Sequence, residues 1–195
     1  LGPDVSLAHC IWLNEREEEL LARTGTHVVH CPSANLKLGS GIARVPELLD
    51  RGVHLGIGAD GAACNNNLDA FIEMRLASLI HLPRAGVASM PAERVFELAT
   101  LGGARALGLE HEIGSLEPGK RADLAIVNLT RIHHRPRAEA IYTQLVQSAH
   151  SSDVETVLVD GRVVVRDRRL QTLDEEAVAA RAEEQADALF RRAGL

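Results

Sequence analysis

Aromatic rings are nearly missing from this chain: three Phe, one Trp and one Tyr in 195 residues. So few rings cannot build the stacking platforms that hold single-stranded nucleic acid. Excess positive charge is missing too. Lys and Arg number 21 against 27 Asp and Glu, for a formal net charge of −6, whereas a general nucleic-acid binder carries a basic face. Cysteine is scarce and odd in number. Cys10, Cys31 and Cys64 form no C-x-x-C pair, so no disulfide framework is expected and a cytoplasmic location is. No apolar run reaches the ~18 residues of a membrane span, and no signal-peptide pattern is visible. These absences leave a small molecule or another protein as the partner, and neither nucleic acid nor membrane. The chain begins with Leu1 on a Gly-Pro-Asp loop rather than with Met, and it is read as a piece of a longer polypeptide.

What is there is aliphatic. Apolar residues make up 46%, and the core must come from Ala, Val, Leu and Ile. The length suits one domain or one and a fraction. Ser6–Cys10, Thr26–Cys31 and Val53–Ala59 read as short buried strands. Between them come a helix capped by Asn14 and stopped at Gly25, its acidic run Glu15–Glu19 a solvated face and Leu20 and Leu21 its buried one. A short helix over Val45–Arg51 follows the second strand. Alternation of this kind implies parallel strands covered by helices. Leu68–Ile80 reads as a helix burying Leu68, Phe71, Ile72, Leu76, Leu79 and Ile80. Pro91 starts another at its first position, and 102–107 continues as helix. From Gly114 the character changes. Asp123–Leu129 reads as a strand, and Val154–Val159 and Arg162–Arg166 as a hairpin around Asp160–Gly161. A helix over Asp174–Arg192 closes the chain.

Three polar residues end the three predicted parallel strands: His9, His30 and Asp60. In barrels of alternating strands and helices, the C-terminal strand ends form the active-site face. Asp60 reads as a ligand for a cation and a proton acceptor, or as the cap of its own loop. His9 reads as a ligand or a group that bonds an attacking water, or as a core histidine bonded to a carbonyl. The same alternatives hold for His30. Asn35 either contacts a substrate or braces its loop. His133–His134 has no nearby Cys or Asp pattern and reads as a solvated loop pair. His27 and His54 sit at strand starts, away from the expected site. Cys10 and Cys31 read as structural thiols.

Taken together, LAHC-x-x-L, HVVHCPSANLKLGSGIA and GIGADGAACNNNLDAFIEMRLASL resemble the C-terminal half of amidohydrolase-superfamily deaminases. The likeness is to the group holding methylthioadenosine/S-adenosylhomocysteine deaminases, s-triazine hydrolases and guanine deaminases. GSLEPGKRADLAIVNL and VETVLVDGRVVV are similar to that superfamily's small β-sandwich domain. The resemblance implies an α/β fold: the C-terminal part of a (β/α)8 TIM-type barrel, strands six to eight, over residues 1–112. Part of a β-sandwich follows over 113–170 and a terminal helix over 171–195.

It also implies one divalent metal, zinc first and ferrous iron second. Asp60 would bind it and shuttle a proton, and His9 would position the attacking water. His30 and Asn35 would face the substrate pocket. The implied reaction is hydrolytic deamination of a purine-like or other N-heterocyclic small molecule. Removal of chloride or an alkylamine from an s-triazine is the alternative, and a homo-oligomer is the expected assembly. No His-x-His pair occurs in the chain. The remaining metal ligands are therefore expected upstream, and a catalytically incomplete fragment is the rival reading.

Overall fold

Three short apolar runs form the first sheet of the computed structural model, which describes residues 1–136 and 140–194. Strand β1 (Ser6–Ala8) pairs with β2 (His27–His30), and β2 with β3 (His54–Ile57), all parallel and in sequence order. The register places Ser6, His27 and His54 in one row and Ala8, Val29 and Gly56 in another. All three strands therefore end at the same edge. The strands are shorter than expected. His9 and Cys10 leave β1 at φ 71° and 46°, a left-handed backbone that no strand continues through.

Helix α1 (Glu15–Thr24) links β1 to β2. Asn14 Oδ1 accepts from Glu17 N at 3.0 Å and Glu17 Oε2 accepts from Asn14 N at 2.8 Å, closing a capping box worth about 1 kcal/mol. Gly25 ends the helix in a left-handed conformation, φ 67°. Two expectations fail here. Leu21 is buried, but Leu20 is 40% exposed. Glu18 is fully buried rather than solvated, because Arg44 and Arg51 from the next unit reach it at 3.3 and 2.9 Å.

Helices α2 (Pro32–Lys37) and α3 (Val45–Asp50) connect β2 to β3. After β3 come α4 (Ala62–Asn65), α5 (Ala70–Leu79) and α6 (Leu82–Ala85). The face of α5 that is buried is not the leucine face expected from spacing. Glu73, Met74, Ala77 and Ser78 are inside, while Leu68 is 51% and Leu79 37% exposed. Glu73 takes the inward position because it has hydrogen-bond partners there.

Helix α7 (Ala92–Glu97) runs through a wide π turn, Leu98–Gly102, into α8 (Gly103–Ala106). Pro91 is its cap rather than its first helical residue. The turn lays Gly102 directly on β3. A Cβ there would lie 2.3 Å from the Leu55 carbonyl oxygen, so only glycine fits. Val28, Val45, Leu48 and Val95, each fully buried, centre the core between sheet and helices. Each such side chain contributes about 1.5–3 kcal/mol by leaving water.

A second sheet follows β4 (Leu124–Val127). Helix α9 (Ile141–Thr143) opens into another π turn, Gln144–Ser148. Strands β5 (Val154–Val159), β6 (Arg162–Arg166) and β7 (Arg169–Leu170) complete an antiparallel order β4-β5-β6-β7. The expected hairpin turn is present, with Asp160 at φ 50° and Gly161 at φ 75°. Helix α10 (Glu175–Ala193) is capped by Asp174 and has no buried residue among those described. No helix among the described residues is long and apolar enough to cross a membrane.

Candidate functional site

The sheet edge where β1, β2 and β3 end gathers three of the four residues singled out in the sequence. His9 donates its backbone N–H to Val29 at 2.9 Å, which fixes the turn that carries its ring. The ring's Nδ1 lies 2.8 Å from Asn35 Oδ1. An amide oxygen can only accept, so Nδ1 carries a proton, and in the neutral tautomer this selects, Nε2 has the lone pair. Nε2 faces Asp60 Oδ2 at 3.7 Å. The separation is too long for a direct hydrogen bond, and in the neutral tautomer the two atoms are acceptors between which a proton donor or a cation would fit. Both side chains are open to solvent, at 40% and 27% exposure.

Asp60 sits at φ 64°, a conformation that aspartate tolerates better than most residues. Its Oδ1 accepts from Gly61 N at 2.7 Å, which leaves Oδ2 free for the His9 side. The glycine two residues earlier has a packing reason: a Cβ at Gly58 would come within 2.7 Å of Val29 Cγ1. Gly58 N bonds His30 O at 2.9 Å, extending the β2–β3 ladder to the site.

Asn35 is 3% exposed. Its oxygen is engaged by His9, and its Nδ2 has no partner among the described residues. His30 is 1% exposed, with neither ring nitrogen hydrogen-bonded. Its nearest ring is His81, 5.5 Å away and also fully buried. Burial, then the neighbouring His81 and His9, hold His30 neutral and push its pKa down to about 3. Burial does the same to His81, down to about 4. The structure thus gathers His9, Asn35 and Asp60 and leaves His30 in the wall behind them. Burial also raises the Cys31 thiol to about 11 and moves the Cys10 thiol upward, in keeping with structural rather than nucleophilic cysteines.

Two supporting residues were not singled out in the sequence. Glu73, 2% exposed, accepts from Ser33 N at 3.1 Å and from Asn65 Nδ2 at 2.7 Å. Asn65 Nδ2 also bonds Ala59 O at 2.7 Å. One buried carboxylate thus ties α2, after β2, to α4, after β3. Its only sequence signal is an acid on the inward side of an apolar helix. Asn65 is one of three adjacent asparagines, and nothing in the run distinguishes it.

Of the His133–His134 pair, read in the sequence as a solvated loop, His133 is exposed as expected and His134 is not. His134 is fully buried, and both rings contact the buried Asp153, whose position twenty residues on hid the pattern.

A zinc site of the catalytic kind takes three protein ligands and an open position. Asp60 Oδ2 supplies one ligand atom of suitable chemistry with solvent access, and His9 Nε2, 3.7 Å away, is placed to bond a water beside it. The ligand type fits a divalent metal, and no further candidate ligand is grouped with these two among the described residues.

Comparison with known proteins places this fold among relatives. The model of the amidohydrolase family matches residues 1–164. A 5′-deoxyadenosine deaminase of Methanosarcina mazei is 43% identical over 192 residues, 98% of this chain and 44% of its own length. A 5-methylthioadenosine/S-adenosylhomocysteine deaminase of Desulforudis audaxviator is 49% identical over 187 residues, 95% of this chain and 43% of its own length. Among solved structures, an adenosine deaminase from Xanthomonas campestris with bound zinc superposes with a TM-score of 0.92 at 38% identity, covering 96% of this chain and 43% of that one. A zinc complex of atrazine chlorohydrolase from Arthrobacter aurescens gives a TM-score of 0.85 at 29% identity, over 94% and 41%. The chain spans less than half the length of each of these relatives.

Proposed function

The chain belongs to the amidohydrolase family, and from that premise we propose that the protein carrying it is a metal-dependent aminohydrolase of adenosine-type compounds. The observation that carries the reading is the convergence of His9 Nε2 and Asp60 Oδ2 at 3.7 Å on the open edge of a parallel sheet, with Asn35 fixing the ring. In this reading Asp60 is a metal ligand and the group that takes a proton from water. His9 accepts a hydrogen bond from that water at Nε2 and aims it at the ring carbon. The metal, zinc by the precedent of similar proteins with bound zinc, supplies the lowered water pKa that such chemistry needs at neutral pH. Asp60 then returns its proton to the departing amine. Asn35 acts through His9. His30 faces the substrate side in this reading as a buried, neutral imidazole.

The three parallel strands are assigned to strands six to eight of a (β/α)8 barrel, with 1–112 as barrel, and the antiparallel sheet within 113–170 to part of a β-sandwich. The preference for an adenosine-type ring rests on the higher identity to deaminases, 43–49%, than to the triazine enzyme, 29%. Triazine hydrolysis is the second reading, favoured by the same fold match. The test is release of ammonia by the full-length protein from 5′-deoxyadenosine, methylthioadenosine, S-adenosylhomocysteine and adenosine. Release of chloride from atrazine is followed alongside. Turnover of the nucleosides alone supports the reading. Turnover of atrazine alone selects the alternative, and turnover of none sinks both.

A further inference from the structure

The second histidine cluster lies apart from the His9–Asp60 edge and has no part in the proposed reaction. His133 and His134, on a short 3-10 turn, aim their Nε2 atoms at one oxygen, Asp153 Oδ2, at 2.9 and 3.2 Å. His134 and Asp153 are fully buried, and the His133 side chain is 34% exposed. The three donor atoms all lie within 4.8 Å of one another. The His150 ring stands 5.3 Å from that of His133.

At Asp153, Oδ2 faces two imidazoles and also takes the His150 backbone N–H at 3.0 Å. Oδ1 has no hydrogen-bond partner among the described residues and pairs with the Arg131 guanidinium, Nε at 3.3 Å. Both oxygens are therefore attended, Oδ2 by two imidazoles and an amide and Oδ1 by a guanidinium. What points to a cation is that two imidazole nitrogens and a carboxylate oxygen stand mutually within 4.8 Å, close enough to surround one ion between them. Around a tetrahedral ion with bonds of about 2.0–2.1 Å, neighbouring donors stand about 3.3 Å apart, and the two observed imidazole–carboxylate separations, 2.9 and 3.2 Å, are already near that.

We propose that His133 Nε2, His134 Nε2 and Asp153 Oδ2 form a binding site for a divalent transition-metal ion. Two imidazoles and a carboxylate suit a zinc-class ion, while calcium and magnesium prefer all-oxygen shells. The half-exposed His133 is the way in. Arg131 on the far oxygen balances the carboxylate when the site is empty. The site is a structural clasp, because it ties the turn after β4 to the start of β5.

The probe is Co2+, whose visible absorption reports imidazole ligation, titrated into the full chain and into His133→Ala, His133→Gln and Asp60→Asn. His133 is the ligand to change because its exposure spares the core, and circular dichroism checks that each variant folds. The expected result is a cobalt band whose affinity falls at least about tenfold in both His133 variants, since one of three protein ligands is gone. The band persists in Asp60→Asn, and Zn2+ raises the melting temperature of the unaltered chain more than that of His133→Gln. The proposal is overturned if no cobalt binds, if the His133 variants titrate as the unaltered chain does, or if Asp60→Asn abolishes all binding.

Discussion

Asn35 Oδ1 accepts from His9 Nδ1 at 2.8 Å, and this one bond decides which nitrogen of His9 faces Asp60. Without it the ring could turn or change tautomer, and Nε2 would no longer offer a lone pair to water. Asn35→Ala in the full-length protein is expected to lower kcat about 10–100-fold, the usual effect of removing a residue that orients a histidine. KM should change little. Asn35→Asp restores an acceptor for Nδ1 and should recover part of the rate while moving the acid limb of the pH–rate profile, a change that a merely structural role would not produce.

Asp60→Asn separates chemistry from folding. Asparagine accepts the left-handed backbone at φ 64°, so the melting temperature should hold within a few degrees. Activity should fall by at least about 10²-fold, the scale of losing a positioned acid–base group. Normal turnover in this variant would remove Asp60 from the mechanism.

The buried pair His30 and His81 makes stability depend on pH. In the unfolded chain both titrate near the ordinary histidine value of 6.5, but in the fold they are held at about 3 and about 4. Their contribution is complete above pH ~6.5. It is lost as pH falls toward the folded values, because the unfolded chain takes up the protons first. At pH 5 each site should weaken the fold by about 2 kcal/mol relative to pH 7.5. Urea-denaturation midpoints measured across that range check it, and His81→Gln should flatten the slope.

Glu73 is expected to matter more for loop order than its distance from His9 suggests. Glu73→Ala leaves Ser33 N and Asn65 Nδ2 without their shared acceptor. Loss of stability should be about 2–4 kcal/mol, from two bonds to a charged group. Hydrogen exchange should quicken first at Ser33 and across 61–68, before the core strands.

The strand–helix alternation of the first 60 residues was readable because β-branched runs, an Asn cap and a stopping glycine all pointed the same way. His9 and Asp60 were readable as strand-end polar residues. Their partnership was not, since the residues that bring them together, Asn35 and the backbone turns at His9 and Asp60, act through geometry. Helix α5 misled for a related reason. Its leucines advertise an apolar face, yet Glu73 takes the inward place because Ser33 and Asn65, far apart in sequence, meet it there. Glu18 and His134 are parallel cases: each is buried because a partner from a later segment, Arg51 or Asp153, reaches it. Local pattern records what a side chain is, and burial of a charge depends on who else arrives.

The π turn at Leu98–Gly102 has a consequence for how this segment can change its length. A helix advances about 100° per residue, and the widened turn acts as one residue of surplus winding between α7 and α8. Deleting one residue there would restore ordinary winding but swing Gly102 away from Leu55. A bulkier neighbour would then meet the carbonyl that a Cβ at Gly102 would approach to 2.3 Å. Insertions and deletions in this stretch are thus confined by phase rather than by loop slack: the helix keeps its odd count so that a residue without a side chain meets the strand.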